Sequence, residues 1–454
     1  TDLDFTLSTR DLSALGRKSL ADWTPPAGHD FTRINPNVPY VPGELLVRFA
    51  PNAACNDILA SVGAAVKKHY TLVPGLTRVT LDAHATLEDA LVTLNANPAV
   101  LYAEPNYIVE ADDTLPGDPR FDSLWGLHNT GQSGGTEDAD IDAPAAWDVS
   151  TGSDEIIVAV IDTGVDYTHE DLADNMWTNP GEVPGNGQDD DGNGFVDDVY
   201  GYDFCNNDAD PMDDNDHGSH CSGTIGGVGD NGIGVAGVCW NVRIMAMKFL
   251  SGGGSGSSAD AIDCIEYATE MGAHVMNNSW GGGGYEQSLK DAIDAAGAAD
   301  IVFCAAAGNS GTDNDSSPHY PSSYESENII AVMSSDRNDN KSSFSCYGAT
   351  SVDIGAPGSD ILSTVPGDGY DTFSGTSMAT PHVAGACGLL KAINPALTVA
   401  EIKDALMSTV DPVLDGYCIS GGRMNLGAAV GEAGSPWLAA DPTQGHDIAP
   451  GANV

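Results

Sequence analysis

IIVAVIDTGVDYTHEDL, residues 156–172, opens with an apolar run that stops at an acid, Asp162, and turns at Gly164. A strand that is apolar without alternation is buried on both faces, as in a parallel sheet. The pattern recurs at VRIMAMKFL (242–250), AHVMNNSW (273–280), DIVFCAAAGN (300–309) and IIAVMSS (329–335). Helical spacing fills the intervals: SADAIDCIEYATEMG (258–272), SLKDAIDAAGAA (288–299), MATPHVAGACGLLKAI (378–393) and VAEIKDALMSTV (399–410). Strand, loop and helix in repetition predict an α/β domain with a doubly wound, mostly parallel sheet over residues 113–430.

Upstream the character changes. GELLVRF (43–49) and LTRVTL (76–81) alternate as strands do, NDILASVGAAV (56–66) and LEDALVTLNA (87–96) have helical spacing, and VLYAEPNYIVE (100–110) reads as a last strand. These predict a small α+β domain over 41–112. Residues 1–40 read as a loosely ordered leader and 431–454, rich in Gly, Pro and Ala, as a flexible tail. The start, TDLDFTLSTR, has neither a basic nor an apolar segment, so residue 1 is expected to lie past any secretory signal.

The chain has 454 residues and a formal net charge of −49. Residues 1–115 carry 14 acids and 8 bases, and the remainder 52 acids and 9 bases. Such a surface repels nucleic acid and anionic membrane; it suits solubility, a salty habitat or the gathering of hard cations. No run of eighteen apolar residues predicts a membrane span. Of nine cysteines, eight follow residue 115. No CxxC pair suggests zinc. The eight are expected to be able to pair in an oxidising compartment, except that Cys221 and Cys304, in apolar runs, read as buried thiols.

Three segments carry the chemistry. Asp162 ends a buried strand, where α/β sites form. In DHGSHCSGT (216–224), His217 opens a small-residue helix and can serve as general base near neutral pH, or else as a metal ligand with His220. In FSGTSMATPHVAG (373–385), Ser377 opens a helix whose free N–H groups can hold an anion, although Ser is also an ordinary cap there. The order Asp, His, Ser differs from that of the α/β-hydrolases, and GTSMA is not their G-x-S-x-G.

Together these segments closely resemble the catalytic blocks of the subtilisin-like serine proteases, over about 117–430, and 41–110 resembles the inhibitory propeptide of that family. The resemblance implies a secreted, calcium-dependent serine endopeptidase made as a self-processing zymogen, acting as a monomer on protein or peptide substrates. Ser377 would attack, His217 would shuttle the proton, Asp162 would orient the imidazole, and Asn309 of CAAAGNSG (304–311) would donate to the oxyanion. FLSGGGSG (249–256) and NSWGGGG (278–284) match the edges that hold an extended substrate, which implies Gly252, Gly253 and Gly254 on one side and Ser279, Trp280, Gly281 and Gly282 on the other. Ala306, Ala307 and Gly308 would wall the P1 pocket, with His319 near the P1 side chain. No Lys or Arg lies between Glu104 and Pro119, so self-cleavage is expected between Glu110 and Leu115. Rival readings are an inactive binding homologue and a calcium-binding surface protein; the intact blocks argue against the first, and the lack of an anchor or repeats against the second.

Two to three calcium ions are expected. NGQDDDGNGFVDD (186–198) spaces Asp189, Asp191, Asn193 and Asp197 like the first half of an EF-hand loop, but with Tyr200 at position twelve. GYDFCNNDADPMDDNDHG (201–218) resembles the loop before the catalytic His of thermitase-type members and would use Asp203, Asn206, Asp208 and Asp210. The family's tight site would join Asp118, Asp171, Asn231 and the carbonyls of Ile233 and Val235. One departure is Asp216 before His217, with Asp213 and Asp214 close by. Three acids there should raise the imidazole pKa and push activity to alkaline pH.

Overall fold

A computed structural model describes residues 31–34, 38–108 and 114–433. The chain divides into two compact units at Asp112/Asp113. Most of the expected leader and all but the first three residues of the expected tail fall outside the described residues.

The first unit runs β1 (Tyr40–Phe49), α1 (Cys55–Ala60), β2 (Ala64–His69), β3 (Leu76–Leu81), α2 (Leu87–Asn95) and β4 (Val100–Tyr107), with an antiparallel sheet in the order β2-β3-β1-β4. Alternate residues of β1, Leu45, Val47 and Phe49, enter one core with Leu87, Leu91 and Leu94 of α2. The helix expected over 56–66 stops early. Gly63 sits at φ +64, and the chain from Ala64 pairs with β3 instead. Phe31 stacks on Tyr102 at 5.5 Å, and Tyr40 already opens β1, so packed structure begins before residue 41.

The second unit contains α3 (Ala143–Trp147), β5 (Gly152–Asp162), β6 (Gly201–Asp203), α4 (His217–Gly226), β7 (Asn241–Lys248), α5 (Ser258–Glu270), β8 (Val275–Asn278), α6 (Gln287–Ala298), β9 (Val302–Ala306), β10 (Ile329–Ser335), β11 (Ile354–Pro357), β12 (Ile361–Val365), β13 (Gly369–Phe373), α7 (Thr376–Ile393), α8 (Val399–Ser408) and α9 (Leu426–Ala433). Seven parallel strands form one sheet in the order β11-β10-β9-β8-β5-β7-β6. Both faces are buried, as the uninterrupted apolar runs predict. Val158 and Val160 of β5 face the core that holds Val383, Ala386 and Leu390 of α7, while Ala159 and Ile161 face the core that holds Ile265 of α5 and Ile293 of α6. The antiparallel pair β12–β13 lies beside α4. Helix α9 continues to Ala433, three residues past the expected start of the tail.

None of the nine cysteines is in a disulfide. Cys221 and Cys304 are the buried thiols that their apolar runs predict, and the expectation that the other six could pair is corrected: most are buried and pack as small hydrophobes. Cys304 and Cys387 approach to 4.0 Å between sulfurs without a bond.

Candidate active site

Strand order brings the site together. Asp162 is the last residue of β5, and α4 begins at His217, so the imidazole reaches the carboxylate from a neighbouring helix start. His217 Nδ1 lies 2.8 Å from Asp162 Oδ1. Asp162 has no exposed surface, and its Oδ1 also accepts the Thr163 N–H at 2.7 Å. His217 keeps 27% of its side chain exposed, which leaves the far ring edge open to the cleft. Burial pulls the His217 pKa down, but the Asp162 charge and hydrogen bond, with help from Asp213, outweigh it and leave the pKa raised.

The three acids before His217 do not act alike. Asp213 is buried and accepts N–H groups from Asn215, Asp216 and Ser219 and the Thr163 hydroxyl. Asp214 is paired with Lys248 at 2.5 Å. Asp216 is exposed, in left-handed conformation at φ +84. The raised imidazole pKa therefore comes from Asp162 and Asp213, and the expected part of Asp214 and Asp216 is corrected. His220 points elsewhere: its Nε2 meets the Ile361 carbonyl at 3.0 Å, its ring stacks on Phe373, and burial pushes its pKa down to about 4. It does not pair with His217 as a metal site.

Ser377 is the second residue of α7. Pro381, four residues on, has no N–H to give to the Ser377 carbonyl. That carbonyl instead accepts Ser279 Oγ at 3.0 Å and Cys221 Sγ at 3.4 Å. In return Ser377 Oγ donates to the Ser279 carbonyl at 2.9 Å. The proline thus frees an acceptor through which the edge after β8 holds the helix start. Asn309 has its Oδ1 fixed by the Thr376 N–H (2.8 Å) and hydroxyl (3.0 Å), which turns its Nδ2 the other way. A Cβ placed on Gly375 would lie 3.5 Å from both Asn309 Nδ2 and the Ser377 backbone nitrogen, so the two donors flank one point.

His217, Asn309 and Ser377 line a single cleft of ≈650 Å³. Gly254, Ser279, Trp280, Gly281, Gly282, Ala306, Gly308 and His319 line it too. Gly252, Gly253 and Ala307 do not. The Gly252 carbonyl is taken by Asn215 Nδ2 at 2.9 Å, and Ala307 is fully buried in a separate cluster with Met333 and Cys346. Asn215, Leu250, Leu289 and Tyr320 line the cleft without having been singled out in the sequence. Asn215, Leu250 and Leu289 lie inside segments that carry the site or its helices, and Tyr320 follows His319.

The tight-site residues converge. Asp118 Oδ1 accepts the N–H groups of Asn231 and Gly232, while Asp171 accepts Asn231 Nδ2 and the Val235 N–H. Both carboxylates are buried, and burial pushes both pKa values up, with the Asp118 charge adding at Asp171. Two buried carboxylates joined through one 230–235 loop, with no cationic side chain among their hydrogen-bond partners, fit a hard divalent cation. In the second loop Asp203 binds Asn206, and a β-bridge sets it against Asp208; Asp210 accepts the Tyr167 hydroxyl. In the third, Asp189 and Asp191 gather with Glu182, which the sequence reading missed, their oxygens within 4.8 Å of one another. Asn193 donates to Asp191 and Asp198. Asp197 is not in that group; its carboxylate accepts the Asn186 and Gly187 N–H groups.

Residues 153–433 match the subtilase family, and residues 30–106 match the fervidolysin N-terminal prodomain. The chain belongs to the subtilase family. It is similar to the thermophilic serine proteinase of Bacillus sp. (strain AK1), at 39% identity over 85% of this chain and 86% of that one. Thermitase of Thermoactinomyces vulgaris is 41% identical over 64% of this chain and 93% of its own. Among solved structures, a protease of Pseudoalteromonas arctica superposes with a TM-score of 0.58 at 30% identity, covering 70% of this chain and all of the other. This subtilase is accordingly a serine endopeptidase with an N-terminal prodomain. Among the described residues no helix is long and apolar enough to cross a membrane.

Proposed function

We propose that this subtilase is a secreted, calcium-dependent endopeptidase that releases itself from its own prodomain and works through Ser377, His217 and Asp162. The observation that carries the reading is the 2.8 Å bond between His217 and a fully buried Asp162, in a cleft that also holds Ser377. A turn about its side-chain bond takes the Ser377 hydroxyl from the Ser279 carbonyl toward the imidazole. Ser377 Oγ attacks the peptide carbonyl as His217 Nε2 removes its proton, and Asp162 holds the tautomer and stabilises the imidazolium. Asn309 Nδ2 and the Ser377 N–H receive the oxyanion. His217 then protonates the leaving amine, and water enters by the same route to clear the acyl-enzyme. Loss of the Asn309 donor would cost roughly 10²–10³ in rate, a magnitude known from subtilisin itself rather than obtained from this geometry.

Substrate runs as an extended strand past Gly254 on one side and Ser279–Gly282 on the other. The peptidase domain is 113–430 with α9 completing it, and self-cleavage falls between Glu110 and Leu115. Asp118, Asp171 and Asn231 with the Ile233 and Val235 carbonyls would hold one calcium, Asp203, Asn206, Asp208 and Asp210 a second, and Glu182, Asp189 and Asp191 a third. Bound calcium would supply the positive charge that the buried Asp118, Asp171, Asp203 and Glu182 lack, and the more exposed Asp189, Asp191, Asp208 and Asp210 would add to the same sites. Extracellular calcium would keep the sites filled, and a prodomain silences the protease until it reaches that compartment.

The test is release of a peptide chromophore by wild type and Ser377→Ala, each in calcium and in chelator. Ser377→Ala should lose about 10⁶ in rate, again the subtilisin magnitude, and chelator should inactivate wild type on warming. Turnover by Ser377→Ala near the wild-type rate would reject the assignment.

A further inference from the structure

We propose that His319 closes the P1 end of the cleft, so that this protease cleaves after small side chains and discriminates against aromatic ones. The proposal rests on reading the cleft as the substrate site.

The imidazole lies between two backbone walls. A Cβ on Gly281 would fall 2.1 Å from His319 Cε1 and 2.8 Å from Nε2. On the other side a Cβ on Gly308, itself at φ +106, would fall 2.9 Å from Cδ2 and 3.1 Å from Cγ. Gly281 follows β8 and Gly308 follows β9, the two neighbouring strands whose ends border the cleft. Glycine on both sides leaves a slot of the shape that admits a flat side chain. Here the protein's own flat ring fills that slot, and any side chain on either wall would collide with it.

The backbone that carries the ring is also held, and the ring's Nδ1 lies 3.4 Å from Ser322 Oγ. The His319 N–H donates to Ser323 Oγ at 3.0 Å, and the His319 carbonyl accepts the Ser323 N–H and Ser322 Oγ, each at 2.8 Å. Pinned at three backbone points, the loop keeps the ring's origin fixed between the two glycine walls. Burial pushes the His319 pKa down, so the ring is neutral at working pH and offers no charge to an acidic P1 group. Ala306 lines the pocket beside the ring. Excluding an aromatic ring from it is a steric discrimination, and even one methylene in such a pocket is worth roughly 10–200-fold.

The experiment measures kcat/KM on peptide anilides that differ only at P1, Ala against Phe, for wild type, His319→Gly and His319→Ser. A fluorophosphonate titrates active sites in each preparation. Wild type should favour Ala at least about tenfold, and the Phe/Ala ratio should rise roughly tenfold or more in His319→Gly and less in His319→Ser. A wild type that prefers Phe overturns the proposal, whatever the variants do. So does a ratio that stays put in both variants. Failure of wild type to react with the fluorophosphonate would instead overturn the protease reading on which the proposal rests.

Discussion

Asp162 and Asp171 are nine residues apart, both without exposed surface, and held in opposite ways. Asp162 faces an imidazole. Asp171 faces an asparagine amide, a backbone N–H, a tyrosine hydroxyl 3.3 Å away and the charge of another buried carboxylate, Asp118. Burying a charge is expensive unless it is paired. The first acid is compensated within the chain, and the compensation is the chemistry. The second is compensated only by dipoles, which leaves room for a cation from solution.

Swapping the same atom pair at each site should therefore produce different losses. Asp162→Asn removes the orienting charge and is expected to lower kcat by about 10⁴, with the thermal midpoint within about 3 °C of wild type. Active-site-titrated kinetics and calorimetry read the two quantities separately. A kcat within tenfold of wild type would break the contrast, because it would make Asp162 as replaceable as a loop ligand.

Asp171→Asn should do the reverse. In excess calcium kcat should stay within a few-fold of wild type, while the part of stability that this one site contributes disappears. At a hundredfold excess over Kd that part is about 2.7 kcal/mol, which lowers the midpoint of a unit this size by roughly 4 °C. Chelator, which would empty all three sites, should bring wild type to the variant's midpoint or below it. Equal midpoints for wild type in calcium and in chelator would mean that Asp118 and Asp171 are held by protein dipoles alone.

The same contrast explains what could be read from residues alone. The five apolar strands and the helices between them are carried by local periodicity, so they stand out without three-dimensional context. Short elements do not: β6 spans three residues, and β12 and β13 depend on each other and on α4 rather than on their own pattern. At the first unit, NDILASVGAAV keeps helical spacing through a glycine, and only pairing with β3 turns its second half into strand. At the site, Asp162, His217, Ser377 and Asn309 sit in dense local motifs. The bracing of Ser377 by Ser279 needed the missing N–H of Pro381 and an edge 98 residues away. Glu182 was missed for a similar reason. It reaches the 189–191 loop through space, accepting the Asp190 and Asp197 N–H groups, and lies outside the spacing that marks the loop.

The smallest expected effect refines the comparison, because Asp213 shares features of both acids. Like Asp171 it is buried among N–H donors, and like Asp162 it acts on His217. His217 must be neutral to take the Ser377 proton, so activity falls as pH drops through its pKa. Since that pKa is raised, the acid limb of kcat/KM in wild type should lie above the ordinary histidine value of about 6.5. Asp213→Asn keeps the shape while deleting a charge that favours imidazolium, so the limb should move to lower pH by a fraction of a unit. Asp216→Asn, exposed and turned away by its left-handed backbone, should leave the limb in place. Equal movement in both variants would mean that the acidic loop acts as a diffuse field on the imidazole, whereas movement in Asp213→Asn alone would assign the effect to a single buried carboxylate fixed by Thr163, the residue that follows Asp162.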